Sequence, residues 1–289
     1  MNQQELHKQE RNRQWANMWS ELTTQGWKTV PLWAQTSQIE NFQAAYNQEA
    51  PRMLLRPVHA GEPRGVVLIC AGGGFRYKTY LEATASANCF YSAGMNVAIL
   101  DYRCLPYTRA DALQDAKRAI RMLRKNAQEY GIDPNHIALC GFSAGGMISA
   151  MAATLFDQGN SSATDPVEKI SCRPDVAVIC YGAMCPAQNY GQLGYDRDAQ
   201  NQLARLSPDQ NVPFDAPPFF IFQTAKDDPR HCLKLATALA ERGIAFELHL
   251  FKDGNHGQAL YDGQNGTENI PHTAQWSMLA CQWLIEYGF

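Results

Sequence analysis

The strongest signal in the sequence is the stretch Gly141-Phe142-Ser143-Ala144-Gly145-Gly146. An apolar run at 137–140 precedes it, which is typical of a short buried strand, and a run rich in Ala and Met at 147–153 follows it, which is typical of a helix. In the pattern Gly-x-Ser-x-Gly the glycines let a strand turn sharply into a helix while the serine hydroxyl stays exposed. The stretch predicts a nucleophilic serine at this turn. The alternative is a turn without chemistry, because short Gly/Ser patterns also arise by chance.

Strand and helix patterns alternate on both sides of the serine. Apolar runs predict strands at 66–70, 96–100, 175–181, 219–222 and 245–251. An apolar face followed by Gly131 and Pro134 predicts a helix at 111–130, and helices are also predicted at 232–242, which Gly243 ends, and at 273–287. Repeated strand–helix–strand units favour a mostly parallel central sheet with helices on both faces, so we predict the α/β class.

The length of 289 residues fits one large α/β domain, and no linker divides it. Residues 1–52 are predicted to form a helical extension packed on a main domain of 53–289, in which 53–58 is an edge strand. The extension contains a helix at 5–22 with an apolar stripe of Trp15, Met18, Trp19 and Leu22. Its tryptophans leave a homo-oligomer contact open. Residues 183–217 are rich in Pro and Gly, and we expect an irregular, cap-like insertion there.

Charge and hydropathy exclude two classes of partner. The net charge is −3 and the Lys and Arg residues are dispersed, so a nucleic-acid partner is not expected. No stretch approaches the roughly 18 apolar residues of a membrane span, and the polar first eight residues have no apolar signal region behind them. We therefore expect a soluble protein that is not exported.

Cysteine and histidine spacing bears on compartment and metals. The chain has nine cysteines, and Cys70, Cys140 and Cys180 lie within apolar strand-like runs, where cysteine behaves as a small buried hydrophobe. This usage favours the reducing cytoplasm. No Cys-x-x-Cys pair and no His-Glu-x-x-His spacing occurs, so no metal site is expected.

Three glycines, Gly72, Gly73 and Gly74, directly follow a predicted buried strand. Without side chains their backbone N–H groups can approach a developing negative charge, and oxyanion loops of the His-Gly-Gly-Gly type occur at this position, although Ala71 replaces the histidine. A phosphate-binding loop would need Gly-Lys-Ser/Thr or Gly-x-Gly-x-x-Gly, and neither is present. A flexible turn is the remaining alternative.

An acid and a histidine follow the last two predicted strands. Asp227 and Asp228 come after the strand at 219–222, and His256 follows the strand at 245–251. The order serine, acid, histidine is that of the α/β-hydrolase fold. A neutral imidazole would accept the serine proton during attack, and a carboxylate would fix its tautomer. The pattern therefore predicts a catalytic triad, with the acid open between the two aspartates.

Several of these segments together resemble one known family. They are 69–75, 100–103 with Pro106, 131–137 leading into 141–146, 227–229, and 247–251 before His256-Gly257. This set is similar to the acetyl-xylan-esterase-like carbohydrate esterases (BD-FAE-like) of the α/β-hydrolase superfamily. The resemblance begins near residue 53 and leaves out the first fifty residues. It implies a carboxylic ester hydrolase that removes acetyl or similar small acyl groups, often from sugars, with no metal or organic cofactor.

The resemblance also implies roles for individual residues. Ser143 would be the nucleophile and His256 the base, while the N–H groups of Ala144 and of Gly73 or Gly74 would be the oxyanion donors. The shared Asp-Pro context favours Asp228 as the acid, whereas the distance from the strand end favours Asp227.

Two departures from the family pattern, Phe75 and Gln258, bear on substrate choice. An amidase or peptidase on the same fold, or a catalytically silent binding protein, are the competing hypotheses, because fold and triad do not determine the leaving group.

Overall fold

An eight-stranded sheet forms the centre of the computed structural model, which describes residues 3–185 and 204–289. The strands are β1 (Lys28–Pro31), β2 (Arg52–Leu55), β3 (Arg64–Cys70), β4 (Asn96–Asp101), β5 (Ile132–Phe142), β6 (Val176–Cys180), β7 (Phe219–Thr224) and β8 (Phe246–Phe251). Their order in the sheet is β1-β2-β4-β3-β5-β6-β7-β8. The six strands from β4 to β8 in this order are parallel, while β2 is antiparallel to both β1 and β4. Because the parallel strands end at one edge, the loops after them meet there.

Helices cover both faces of the sheet. They are α1 (Gln3–Thr24), α2 (Tyr80–Ser92), α3 (Arg109–Lys125), α4 (Ala127–Tyr130), α5 (Ala144–Thr154), α6 (Arg230–Glu241) and α7 (Pro271–Glu286). None of the helices in the described residues is both long and apolar enough to cross a bilayer.

The core lies on both faces of the sheet because side chains alternate along each strand. On β3, Val67 and Ile69 pack in the cluster that contains residues of α1, α2 and α7. The intervening Val66 and Leu68 pack in the cluster that contains residues of α3 and α5. All four side chains are fully buried. The predicted α/β-hydrolase fold, with a mostly parallel sheet and helices on both faces, is confirmed.

Helix α1 is joined to the sheet by two tryptophans. Trp15 donates a hydrogen bond from Nε1 to Asp101 Oδ1 over 3.0 Å, and Trp19 donates from Nε1 to Thr29 Oγ1 over 3.1 Å. Asp101 is buried at the end of β4 and also forms an ion pair with Lys78 at 2.8 Å. The apolar stripe that the sequence predicts on this helix therefore packs on the domain.

The segments before residue 60 differ from the sequence prediction. The weakly patterned region after Trp27 contains β1, so residues 1–52 are not a purely helical extension. The predicted edge strand at 53–58 is β2, which lies inside the sheet because β1 covers it. β1 was missed because only one of its four residues, Val30, is buried, so its sequence contains no apolar run that predicts a strand.

Of two other predicted segments, one differs from the structure and the other includes residues that the structure does not describe. The predicted helix at 111–130 is two helices, α3 and α4, separated at Asn126. Within the predicted insertion 183–217, residues 186–203 lie outside the described residues, and the described part contains a short 3-10 helix, Pro208–Gln210.

Candidate active site

Ser143 lies at the turn between β5 and α5, in a backbone conformation that is rare for a residue with a side chain. Its φ is 53° and its ψ is −116°, and such conformations cost about 1–3 kcal/mol and concentrate at functional sites. The flanking glycines are required by close packing. A Cβ at Gly141 would lie 2.1 Å from the carbonyl oxygen of Gly145, and one at Gly145 would lie 1.9 Å from that of Cys70. The turn thus holds the serine side chain in the cleft above the sheet.

His256 lies within hydrogen-bonding distance of the serine. Its Nε2 is 2.7 Å from Ser143 Oγ, and its Nδ1 is 2.6 Å from Asp227 Oδ2. When Nδ1–H donates to the carboxylate, Nε2 is the ring nitrogen that can accept from the serine hydroxyl. The three groups come from the loops after β5, β7 and β8 and form one hydrogen-bonded series.

Asp228 has a different partner. Its Oδ1 accepts a hydrogen bond from Arg230 Nε over 2.7 Å, and its Oδ2 accepts one from Arg230 Nη2 over 2.5 Å. The prediction of Asp228 as the acid, which the Asp-Pro context favoured, is therefore wrong, because this carboxylate pairs with Arg230 and not with the imidazole. Asp227, which the distance from the strand end favoured, is the carboxylate at the imidazole.

The glycine loop after β3 lines the same cleft as the serine. Gly73 and Gly74 have φ values of 135° and 61°, and a Cβ at Gly73 would lie 2.1 Å from the carbonyl oxygen of Tyr77. Ala144 is the first residue of α5, so its N–H has no acceptor within the helix. The structure brings all three predicted oxyanion residues to the cleft that contains Ser143.

Glu82 is a residue that sequence reasoning missed. It lies in the first turn of α2, is 2% exposed, and accepts a hydrogen bond from the N–H of Gly72 over 2.6 Å. It also accepts from Thr79 Oγ1, and from the Tyr181 hydroxyl over 3.0 Å. The only sequence signal for it was a carboxylate eight residues after Gly74, which resembles an ordinary helix start.

Tyr181 extends this contact towards the histidine. Its hydroxyl oxygen accepts a hydrogen bond from the N–H of Ala259 over 3.1 Å, and its ring lies edge-on to the His256 ring at a centroid distance of 5.0 Å. Glu82 and Tyr181 together connect the glycine loop with the segment that carries the imidazole. A second tyrosine, Tyr102, donates to the carbonyl oxygen of Ala71 over 2.6 Å and fixes the start of the glycine loop.

Opposing effects determine the pKa of the His256 imidazole. Burial disfavours its charged form, but the hydrogen bond to Asp227 and the negative charges of Asp227 and Glu82 outweigh burial, so its pKa is raised. For Asp227, burial likewise works against ionisation, and the contact with His256 outweighs it, so the pKa of this carboxyl is lowered. The pair is thus arranged to stabilise an imidazolium beside a carboxylate.

The cleft around these groups has a volume of about 650 Å³. Besides the residues above, its walls include the side chains of Phe75, Leu105 and His231. Within residues 3–185 and 204–289, no cluster of three or more His, Cys, Asp or Glu side chains has the arrangement of a metal site. The groups nearest the Ser143 hydroxyl include the His256 imidazole, which carries Asp227 behind it, and the cleft also contains the backbone N–H groups of the glycine loop.

The family model BD-FAE matches residues 54–232. The chain belongs to the BD-FAE family. The matched range includes β3, the glycine loop, Ser143 and Asp227, whereas α1, β1 and His256 lie outside it.

Two curated proteins are similar to this BD-FAE chain. Endo-1,4-beta-xylanase B of Butyrivibrio fibrisolvens is 30% identical over 246 residues, which are 79% of this chain and 38% of that protein. Acetylxylan esterase of Xylanibacter ruminicola is 26% identical over 233 residues, which are 72% of this chain and 46% of that protein. The chain thus spans less than half the length of these relatives.

A solved structure matches most of the chain. The acetyl ester-xyloside bifunctional hydrolase from Caldicellulosiruptor lactoaceticus superposes with a TM-score of 0.84 at 31% sequence identity. The match covers 91% of this chain and 97% of that structure. The similarity therefore extends well beyond the segment that the family model covers.

Proposed function

We propose that this chain is a serine carboxylic ester hydrolase that removes acetyl or other short acyl groups from a sugar or a similar small substrate. The observation that carries the proposal is the hydrogen-bonded series Ser143–His256–Asp227 beside a glycine loop. The names of the similar proteins, an acetylxylan esterase and an acetyl ester-xyloside hydrolase, support the substrate class. The cytoplasm is the proposed compartment, and homo-oligomer formation stays a prediction.

In the first half of the reaction, Ser143 Oγ attacks the ester carbonyl while its proton passes to His256 Nε2. Asp227 keeps Nδ1 protonated and stabilises the imidazolium that forms. The N–H groups of Ala144 and of Gly73 or Gly74 stabilise the oxyanion. When the intermediate collapses, the imidazolium returns its proton to the departing alcohol, and the acyl group stays on the serine.

In the second half, water replaces the alcohol. His256 accepts a proton from the water, the resulting hydroxide adds to the acyl carbonyl, and the same backbone donors stabilise the second oxyanion. Collapse releases the carboxylic acid, and the proton on Nε2 returns to Ser143 Oγ. Atoms and protons balance without any group beyond water.

The test is hydrolysis of an aryl acetate by the wild-type chain and by Ser143→Ala. We expect the variant to lose turnover by a factor on the order of a thousand or more, because the attacking oxygen is gone. Ser149→Ala is the matched control, since Ser149 lies on the same helix α5 and does not line the cleft. A serine-directed phosphonate should label the wild type and the control but not Ser143→Ala.

Two results would contradict the proposal. One is a wild-type chain that hydrolyses no short-chain acyl ester and takes no label. The other is a folded Ser143→Ala variant that keeps its turnover.

A further inference from the structure

A second cavity adjoins the catalytic cleft. It has a volume of about 450 Å³ and lies between the first two turns of α1 and the loop that follows the three glycines. Arg76 and Tyr77 line both this cavity and the catalytic cleft, so the two spaces share a wall. We call the second cavity the α1 groove.

The α1 side of the groove is formed by five residues of the first two turns, Gln3, Gln4, Glu5, His7 and Lys8. Among them, Gln4, His7 and Lys8 are spaced i, i+3 and i+4 and therefore share one face of the helix. His7 Nε2 lies 3.2 Å from the Tyr77 hydroxyl, and the two rings meet edge to face at a centroid distance of 5.5 Å. The helix therefore contacts the loop that borders the catalytic cleft.

The position of this face is fixed from within the protein. Trp15, Met18 and Trp19 of the same helix are buried, and Lys78, which directly follows Tyr77, pairs with the buried Asp101 at 2.8 Å. Trp15 donates to the same carboxylate. Both walls of the α1 groove are thus anchored on one buried aspartate at the end of β4.

The chemistry of the groove suits a sugar better than a hydrocarbon chain. Its α1 side carries amide, carboxylate, imidazole and ammonium groups, which can donate hydrogen bonds to sugar hydroxyls or accept hydrogen bonds from them. An alkyl chain would bury little apolar surface against such groups and would gain little free energy. The ring of Tyr77 offers an apolar surface for the face of a sugar ring.

We propose that the α1 groove is a subsite for the alcohol part of the substrate, and that this alcohol is an oligosaccharide. The acetylated ring would lie at Ser143, and a neighbouring ring would occupy the groove beside Tyr77. The inference rests on the proposed esterase function. It also goes beyond the family match, because the α1 residues lie outside residues 54–232.

The experiment compares two substrates in one set of variants. The probes are an aryl acetate, whose leaving group is a single ring that we expect to stay outside the groove, and a mono-acetylated xylotriose. The test variant is the double substitution Gln4→Ala with Lys8→Ala, in which both side chains project from the surface of α1 and are not part of the core. Gln9→Ala is the matched control, because Gln9 is an exposed residue of the same helix that does not line the groove.

The quantity measured is the ratio of kcat/KM for the trisaccharide to kcat/KM for the aryl acetate. We expect the ratio to fall about tenfold in the double variant, as the loss of two polar contacts implies, and to stay at the wild-type value in Gln9→Ala. Acetylated xylose, which has no second ring, should show a smaller fall. Circular dichroism and thermal unfolding verify that each variant is folded.

The outcomes separate this inference from the proposed function. If the wild type hydrolyses neither substrate, the esterase function itself is wrong. If the wild type hydrolyses both and the double variant keeps the wild-type ratio, only the α1 subsite is wrong. An equal fall for acetylated xylose and for the trisaccharide would also overturn the assignment of a second ring.

Discussion

The two sides of Ser143 are built differently. On one side, the glycine loop is held by Glu82, which is 2% exposed, and by Tyr102, which is 1% exposed. On the other side, the His256 side chain is 46% exposed and that of Asp227 is 20% exposed. The glycine loop is thus held by buried side chains, whereas the imidazole and its carboxylate on the other side of Ser143 are partly exposed to solvent.

The difference follows from what each side has to do. Oxyanion donors act through their position alone. Buried hydrogen-bond partners hold that position well, because water does not compete for their hydrogen bonds. An imidazole that exchanges protons with an alcohol and with water needs access to both. Substitutions on the two sides should therefore impair turnover in different ways.

The largest effect is expected on the imidazole side. Asp227→Asn cannot hold the Nδ1–H tautomer of His256, so kcat/KM for an aryl acetate should fall about a hundredfold or more. Asp228→Asn is the matched control, because Asp228 pairs with Arg230 instead, and we expect a change of less than about threefold. Equal losses in the two variants would contradict the assignment of Asp227.

The next effect concerns the glycine loop. Gly73→Ala would place a Cβ 2.1 Å from the carbonyl oxygen of Tyr77, so the loop must shift and kcat should fall about ten- to a hundredfold. Gly74→Ala is the comparison, and we expect a smaller loss there, since nothing lies within 4 Å of its Cβ position and its φ of 61° costs about 1–2 kcal/mol. Steady-state kinetics on both variants measures this difference. A Gly74→Ala variant that is more impaired than Gly73→Ala would contradict it.

The smallest expected effect is a shift in the pH dependence of activity when Glu82, a residue of the glycine-loop side, is substituted. Because the pKa of His256 is raised and the base must be neutral, kcat/KM should fall on the acid side, with a midpoint above the ordinary histidine pKa. Glu82→Gln removes one of the charges that raise this pKa, so the midpoint should move to lower pH. It also exchanges an acceptor oxygen for an amide, and we expect a loss of about tenfold at the optimum.

The control for this pH profile is Glu62→Gln, an exposed carboxylate in the turn before β3. Its profile should overlay that of the wild type. If the midpoint of Glu82→Gln stays in place or moves to higher pH, the charge of Glu82 does not act on the imidazole.

The sequence predicted those parts of the fold that have strong periodicity or a defined turn. The apolar runs of β3 to β7 and the pattern around Ser143 are of this kind, because a strand buried on both faces and a close-packed turn permit few residue types. The meeting of Ser143 and His256 followed from topology, since parallel strands end at one edge.

The remaining features depend on tertiary contacts that no local pattern records. Asp227 and Asp228 are adjacent and chemically identical, and only the direction of the loop after β7 separates them. In the sequence Glu82 resembles any acidic residue at a helix start, and its contacts with Gly72 and Tyr181 exist only in the folded structure. β1 is short, and its position at the edge of the sheet is determined by its pairing with β2.

The pairing of β1, β2 and β4 also limits how the chain can be trimmed. A fragment that begins at the matched boundary, residue 54, would lack β1 and half of β2. The main chain of β4 at Leu100 and Asp101 and that of the remaining half of β2 would then be unpaired, and apolar strands with open edges recruit other molecules by strand addition. Such a fragment should self-associate in solution, so expression vectors for this chain should retain the segment that precedes the family boundary.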